Sequence, residues 1–294
     1  MKPLFISAEL QRQFDEEGFV KVPLLSQAAV NELVHAYQQV AEQHEQINIP
    51  YITTSHSNNA GLINQVDVIL QRVIAPALVP FLINYKLLFG NYLIKMPGAG
   101  SETEPHQDIT FVDESKYASA NVWVALNDVD EDNGCMYFLR RSHRFMPTIR
   151  PTHDYKWPYA HVTDEIKKRS KLFHARAGDA FIFNHAVIHG SLPNKSNTPR
   201  LAAVIAAYHA DAGLIHYYLP DINGNKLQKF SMTKEAYLHF KKQQPPAKGI
   251  FIEEENFYFK QLSLEEFNLM TTEKYKQKSL LNRVSRWFRK TGEA

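Results

Sequence analysis

Two short segments decide the predicted fold of this chain: Glu104-Pro105-His106-Gln107-Asp108 and Ile188-His189-Gly190-Ser191. His106 and Asp108 are separated by one residue, so on a strand their side chains would point to the same face. His189 follows 81 residues after Asp108 (189 − 108), which predicts a fold that brings two distant strands together. Two imidazoles and one carboxylate, without a fourth protein ligand, are the set that holds a non-haem Fe(II) ion with positions open to small molecules.

A single arginine extends this pattern. Arg200 lies eleven residues after His189 (200 − 189) and is expected to begin the strand that follows the one carrying His189. Its planar guanidinium suits the distal carboxylate of 2-oxoglutarate, because it can donate two parallel charge-assisted hydrogen bonds. An ordinary surface ion pair is the alternative for Arg200 alone. Taken together, the four residues favour an oxygenase that uses Fe(II), 2-oxoglutarate as co-substrate and O2.

The composition excludes several other classes of protein. The 294 residues are 44% hydrophobic and 22% charged, as in an ordinary globular protein, and suffice for one large domain. A formal net charge of +2 gives no basis for nucleic-acid binding. Cys135 is the only cysteine, which fits a reducing compartment, so we expect a cytoplasmic protein. No apolar run of about 18 residues is present, so we expect no membrane span.

Short apolar runs in the middle of the chain predict a mainly β core. Strands of this length, separated by Gly and Pro turn signals, favour an all-β sandwich or barrel. The residues before them are expected to be mainly helical, with helix caps at Ser7 and Ser26. The expected strands are 19–22, 92–96, 121–127, 180–183 and 201–208, with a polar loop at 44–62 and a helical stretch at about 66–83.

We expect residues 1–294 to form one domain in three parts. Residues 1–90 are mainly helical, 91–212 carry the strands and the metal site, and 213–294 form a C-terminal extension. The extension ends in a basic amphipathic helix at 276–294. That helix either docks on the barrel with its basic side solvated or makes peripheral contact with an anionic membrane.

An ordered set of motifs resembles the phytanoyl-CoA dioxygenase family. The resemblance covers about residues 7–210 and implies a double-stranded β-helix, a cupin-like jelly roll, with α-helices packed around it. It also implies that His106, Asp108 and His189 bind the iron and that Arg200 binds 2-oxoglutarate. The motifs are Phe14-Asp15-Glu16-Glu17-Gly18-Phe19-Val20, His106-Gln107-Asp108, Asn133-Gly134-Cys135-Met136, Ser142-His143, Gly178-Asp179 and His189-Gly190-Ser191 with Asn194 and Arg200.

The same resemblance implies further cofactor-binding residues. Ser191 is expected to bind the carboxylate of 2-oxoglutarate, and Trp123 to wall its pocket. Lys95 is expected to add a second positive charge, with an ordinary strand-edge lysine as the alternative. Asp108 also bears on the reaction, because related halogenating enzymes have a small residue at this ligand position. Its carboxylate therefore favours hydroxylation, or a related oxidation such as desaturation.

The expected reaction is hydroxylation of an unactivated C–H bond in a small organic or lipid-like substrate, with release of succinate and CO2. Two alternatives stay open: a non-catalytic jelly-roll protein that retains a metal, and a cupin-like metalloenzyme that uses no 2-oxo acid. No motif specifies the substrate or the oligomeric state. Tyr155, Trp157 and Tyr159 form either an aromatic lid or a packed cluster.

His185 and Cys135 are also candidates for a metal-binding or catalytic role, but the sequence does not favour one for either. His185 and His189 are four residues apart, as in a helical zinc site, but no Glu follows His185 and the stretch reads as a strand. His185 is therefore expected to be a core histidine or a neighbour of the metal ligands. Cys135 stands among apolar residues and is expected to be an inert core residue.

Overall fold

The computed structural model describes most of the chain. Its described residues are 2–41, 49–145, 149–152, 157–238, 240–241, 244–258 and 261–271. The predicted basic helix at 276–294 and one member of the predicted aromatic group, Tyr155, lie outside these residues. Within them, no helix is both long and apolar enough to cross a membrane.

Three helices precede or accompany the first strands. Helix α1 spans Ala8–Glu17; the Ser7 side chain accepts a hydrogen bond from the Leu10 amide at its start, and Gly18 ends it with a φ of 91°. Helices α2 (Gln27–Ala41) and α3 (Ala60–Leu78) follow. These starts confirm the expected helix caps at Ser7 and Ser26, where the Ser26 hydroxyl accepts from the Ala29 amide at 3.3 Å.

Two antiparallel sheets face each other and form the core. The larger sheet has the order β1-β8-β5-β10-β3-β2, and the smaller has the order β4-β9-β6-β7. The strands of the larger sheet are β1 (Phe19–Pro23), β2 (Tyr51–Thr53), β3 (Tyr85–Lys95), β5 (Ser119–Ala125), β8 (Asp179–Asn184) and β10 (Arg200–His209). Those of the smaller sheet are β4 (Thr103–His106), β6 (Met136–Phe138), β7 (Lys171–Phe173) and β9 (His189–Ser191).

The side chains of β5 show how alternation builds two apolar layers. Val122 and Val124 pack with the helices on one face, whereas Trp123 points into the layer between the sheets. In that inner layer the ring of Phe138 from β6 packs against Phe181 of β8 at 5.7 Å. Burial on both faces therefore holds the larger sheet at the centre of the protein.

The C-terminal part adds a third sheet, and short helices lie both before this part and within it. Strands β11 (Leu214–Tyr218), β12 (Lys226–Met232) and β13 (Ile250–Asn256) pair in that order. The short helices are α4 (Ser142–Phe145), α5 (Thr163–Arg169), α6 (Lys234–Leu238) and α7 (Leu264–Thr271), with 3-10 turns at Thr54–His56 and Ala160–Val162.

Trp157 and Tyr159 pack against α7 rather than over the core. Their rings are 5.3 Å apart in an edge-to-face arrangement, and both belong to an apolar cluster with Phe267. For these two residues the structure therefore favours the packed-cluster interpretation over the aromatic lid.

Three predicted boundaries were wrong. Strand β3 begins at Tyr85, seven residues before the predicted strand (92 − 85), because residues 85–91 pair with β10 across a register shift. Helix α3 ends at Leu78 and not near residue 83, and the predicted loop at 44–62 contains β2 and the start of α3. The predicted single-domain organisation of residues 1–294 stays a prediction.

Candidate metal centre

Strands β4 and β9 bring the two distant histidines together. The strands pair antiparallel with His106 opposite His189, and the two imidazole rings are 4.3 Å apart. The last residue of β4 is His106, so Asp108 lies two residues beyond the end of the strand. The expectation that both residues share one face of a strand was therefore wrong, although their side chains still converge.

The three predicted ligands form one compact group. Their ligand atoms lie within 4.8 Å of one another. The Nε2 atoms of His106 and His189 lie 3.8 Å from Oδ1 and Oδ2 of Asp108, respectively. These separations are too long for hydrogen bonds, so direct bonds between the side chains do not account for the cluster. Two imidazole nitrogens and a carboxylate oxygen in this arrangement fit a non-haem Fe(II) ion with open positions.

Backbone carbonyls orient both imidazoles. The Nδ1 atom of His106 lies 2.9 Å from the carbonyl oxygen of Glu104, and Nδ1 of His189 lies 3.0 Å from that of Val187. A carbonyl can only accept, so each Nδ1 carries the proton in these contacts. In the neutral ring each Nε2 then carries a lone pair on the side of Asp108, which is the form that binds a metal.

Asp108 is fixed by contacts that the sequence analysis missed. Asn121 of β5 donates from Nδ2 to Oδ2 of Asp108 at 2.8 Å. Burial raises the pKa of Asp108, but four neighbours that carry positive charge when protonated, His189, His106, His185 and Arg150, together bring the pKa below its usual value. A signal for Asn121 was present, because it is a polar residue two positions before Trp123 on one face of an apolar strand.

A cavity of about 1060 Å³ opens beside this group. All three ligands line it, together with Arg200, Trp123 and Ser191. Another part of the wall is aromatic and comprises Phe89, Phe111, Tyr237 and Phe240, and polar residues of the 3-10 turn at Thr54–His56 also line it.

Arg200 lies in this wall with part of its guanidinium unsatisfied. It is the first residue of β10, as predicted, and its side chain is 1% exposed. Its Nε and Nη1 atoms are buried without a hydrogen-bond partner among the described residues. Burial lowers the pKa of Arg200 to about 10, so the group is still charged at neutral pH. Because β9 and β10 belong to different sheets, the charge approaches the site across the inter-sheet layer rather than along paired strands.

The other predicted cofactor residues differ in their position. Ser191 and Trp123 line the cavity, and the Trp123 ring centre lies 5.3 Å from Cζ of Arg200. Lys95 is fully buried and is absent from the described cavity wall. Its Nζ donates to the carbonyl oxygens of Ser101 and Leu192, the latter at 2.7 Å. Burial, reinforced by the charge of Arg200, lowers the pKa of Lys95 to about 7.

Tyr51 is a second residue that sequence analysis missed. It lies on the edge strand β2 and lines the cavity with Arg200. The Nζ atom of Lys95 lies 5.5 Å from its ring centre, so the ring contacts both the cavity and the buried ammonium. No sequence signal distinguished Tyr51 within the expected polar loop.

His185 and Cys135 occupy core positions. His185 is buried, its Nδ1 lies 2.8 Å from Oγ of Ser119, and its carbonyl oxygen accepts from the Asp108 amide at 2.9 Å. This neighbourhood agrees with the expected role beside the metal ligands. Cys135 is buried, and burial raises its pKa to about 11, so its thiol is protonated at neutral pH.

Comparison with known sequences identifies one family. A family model described as "Phytanoyl-CoA dioxygenase (PhyH)" matches residues 14–202. Phytanoyl-CoA dioxygenase domain-containing protein 1 of Danio rerio is 35% identical over 127 residues, which cover 40% of this chain and 43% of that protein. Phytanoyl-CoA dioxygenase 1 of Oryza sativa subsp. japonica is 32% identical over 114 residues, which cover 38% and 40%. The chain thus spans less than half the length of these two relatives.

Solved structures confirm the predicted cupin-like fold. The non-heme alpha ketoglutarate dependent carbocyclase SnoK from nogalamycin biosynthesis has a TM-score of 0.54 and 20% identity, covering 73% of this chain and 90% of its own. The epimerase SnoN, in complex with Fe3+, alpha ketoglutarate and nogalamycin RO, has a TM-score of 0.53 and 19% identity, covering 88% and 96%. At these identities the likeness establishes the fold.

Proposed function

The chain belongs to the phytanoyl-CoA dioxygenase (PhyH) family, and from this premise we propose that it is an Fe(II)- and 2-oxoglutarate-dependent dioxygenase. One observation carries the proposal. The buried guanidinium of Arg200 has unpartnered donors in the wall of the cavity that the His106–Asp108–His189 group also lines. A ligand with a carboxylate for Arg200 and a chelating end for the metal would satisfy both.

The metal ligands fit Fe(II) through their chemistry. His106, His189 and Asp108 would hold the ion, since two neutral imidazoles and one carboxylate are the donor set that binds Fe(II) with positions left for small molecules. When bound, iron supplies the activation of O2 that is coupled to decarboxylation of 2-oxoglutarate. The residues of the chain hold the ion, and Asn121 and the two backbone carbonyls keep the ligand atoms oriented.

The cavity wall fits 2-oxoglutarate because the buried charge of Arg200 lacks a partner that a ligand carboxylate would supply. A buried guanidinium without partners is unfavourable, and a ligand carboxylate would offset that cost with charge-assisted hydrogen bonds. Arg200 would anchor the distal carboxylate, Ser191 would contact a carboxylate, and Trp123 would wall the pocket. Lys95 would act on this site only indirectly, because its ammonium is held by backbone carbonyls.

The substrate would occupy the remaining volume against the aromatic wall. Phe111 makes an edge-to-face contact with Tyr237 at 5.1 Å, and Phe89 lies 6.5 Å from Phe111. Such a wall suits an apolar portion of a small organic or lipid-like substrate. We propose hydroxylation of a C–H bond in that portion, with release of succinate and CO2. The Asp108 carboxylate, at the position where halogenating relatives have a small residue, supports hydroxylation.

Succinate release tests the proposal. The full chain, loaded with Fe(II) without air, would be given 2-oxoglutarate and O2 with a panel of apolar acids, alcohols and acyl esters. We expect succinate formation that rises with a substrate and disappears in Asp108→Ala. The matched control is Asp211→Ala, because Asp211 is an exposed partner of Lys2. Full activity in Asp108→Ala would contradict the proposal.

The same assay separates the two alternatives. A non-catalytic metal-binding protein would bind metal and 2-oxoglutarate but release no succinate, even slowly without substrate. A cupin-like metalloenzyme that uses no 2-oxo acid would bind metal and show no affinity for 2-oxoglutarate. The expected cytoplasmic location and the absence of a nucleic-acid partner stay predictions.

A further inference from the structure

Asp108 is the one predicted ligand that regular secondary structure does not position. His106 and His189 lie in paired strands, whereas Asp108 follows the end of β4. Its amide donates to the carbonyl oxygen of His185 at 2.9 Å, which fixes one side of its peptide backbone. Its carbonyl oxygen must be held by another group if the residue is to keep one position.

Arg150 holds that carbonyl oxygen. Its side chain is 1% exposed, and its Nε donates to the carbonyl oxygen of Asp108 at 2.6 Å. The rest of the guanidinium forms a two-pronged ion pair with Glu114, with Nη1 to Oε2 at 2.7 Å and Nη2 to Oε1 at 2.5 Å. A fork of this kind fixes both distance and angle, so the nitrogen facing Asp108 has a defined direction.

Backbone contacts extend the same attachment. The amide of Arg150 donates to Oγ1 of Thr110 at 3.1 Å, and the amide of Thr110 donates to the carbonyl oxygen of Arg150 at 3.1 Å. Arg150 therefore forms hydrogen bonds or ion pairs with three residues of the segment 108–114, namely Asp108, Thr110 and Glu114. The backbone amide of Thr152 donates to the carbonyl oxygen of Tyr217 at 2.8 Å. The segment that carries Arg150 is thereby attached to strand β11 of the third sheet.

We propose that Arg150 is a positioning residue for Asp108, and this proposal rests on the proposed metal site. Arg150 is absent from the described cavity wall, so it acts through the Asp108 backbone rather than on a ligand of the cavity. Its guanidinium is paired with Glu114, and its Nε contact adds a geometric constraint on the Asp108 backbone beside the charge that it places near the carboxylate. Metal sites tolerate errors of only a few tenths of an ångström in ligand position, so a loosened Asp108 backbone weakens metal binding.

Metal affinity is the test, because it does not depend on turnover. Co(II) would be titrated anaerobically into the metal-free full chain, and binding followed by calorimetry and by the visible Co(II) spectrum. We expect Arg150→Met to bind Co(II) about 10- to 100-fold more weakly, as found when groups that orient metal ligands are removed. Arg150→Lys should recover part of the affinity, since one ammonium can reach Asp108 or Glu114 but not reproduce the fork.

Controls separate positioning from a general loss of stability. Arg140→Met removes another Arg–Glu pair, with Glu17, whose arginine is half-exposed, and should leave Co(II) affinity unchanged. Glu114→Gln retains the Arg150 side chain but removes the charged fork that orients it, and it serves if Arg150→Met does not fold. It should weaken Co(II) binding several-fold and shift the spectrum. Wild-type affinity and spectrum in every folded Arg150 and Glu114 variant would overturn the inference. Absence of Co(II) binding by the wild type would overturn the metal site itself.

Discussion

The guanidinium carbon of Arg200 lies 5.3 Å from the centre of the Trp123 ring, in the cavity wall shared with the three predicted metal ligands. The ring's negative face favours the cation and fixes its place. Two of its nitrogens nevertheless have no hydrogen-bond partner among the described residues. The cation is therefore held in position but unsatisfied, which is the state expected of an anion-binding group before its ligand arrives.

Replacing Arg200 with Met should separate binding from stability. We expect 2-oxoglutarate affinity to fall by about 30-fold or more, since loss of one partner of a buried charged pair costs about 2–5 kcal/mol. The metal-free variant should be as stable as the wild type, or more so, because the substitution removes an unpaired buried charge. Anaerobic calorimetry with the Co(II) protein and thermal unfolding of the metal-free protein measure the two effects.

Arg140→Met is the control for that prediction. Arg140 is half-exposed and pairs with Glu17, so its removal should change neither 2-oxoglutarate affinity nor Co(II) affinity. Undiminished 2-oxoglutarate affinity in Arg200→Met would remove this residue from the co-substrate site.

Gly190, between His189 and Ser191 in β9, should tolerate no side chain. A Cβ there would lie 2.2 Å from the Tyr137 hydroxyl and 2.5 Å from the Thr103 carbonyl oxygen, two groups that are hydrogen-bonded at 3.1 Å. We expect Gly190→Ala to lower the free energy of unfolding by about 1–3 kcal/mol and to weaken metal binding by displacing β9. Urea unfolding and Co(II) titration measure the two changes.

Gly213→Ala is the matched substitution, because no atom lies within 4 Å of a Cβ at that position. It should leave both quantities near their wild-type values. Equal stability of the two alanine variants would show that β9 is not confined as described.

Lys95 should make stability depend on pH above neutrality. Its pKa is lowered to about 7 from 10.5, first by burial and then by the charge of Arg200. Between these pH values the unfolded chain binds more protons at this residue than the folded protein, so the free energy of unfolding rises with pH. The contribution is at most about 1.4 kcal/mol per pH unit.

The comparison of wild type with Lys95→Met isolates that contribution from other titrating groups. Urea unfolding at pH 7 and pH 9 should show wild-type stability increasing relative to Lys95→Met as pH rises. Parallel pH dependence in the two proteins would mean that Lys95 keeps its proton throughout this range.

Local patterns were sufficient to predict much of the fold and the metal group. Alternation around Trp123, apolar runs before Asn184 and after Arg200, and the caps at Ser7 and Ser26 each follow from rules that act over a few residues. The spacing of His106 and Asp108 correctly predicted that their side chains lie close together. They do so because β4 ends at His106 and the following residues turn Asp108 toward it, not because both lie on one strand.

The features that sequence analysis missed all depend on distant partners. Asn121 is 13 residues from Asp108 in the chain and Arg150 is 42 residues from it, so both contacts depend on how the chain folds. The first half of β3 is fixed by pairing with β10 across a register shift, which no pattern within residues 85–91 encodes. Such contacts are set by sheet order and loop packing, so they appear only with the folded structure.

Joint binding of Fe(II) and 2-oxoglutarate at the His106–Asp108–His189 group is tested most simply by a spectroscopic titration in the absence of O2. 2-Oxoglutarate would be added to the wild-type chain loaded with Fe(II), and the visible absorbance recorded. We expect a charge-transfer band that saturates at a single equivalent of 2-oxoglutarate and fails to form in Asp108→Ala. A wild-type chain that binds Fe(II) but stays colourless throughout the titration would contradict this expectation.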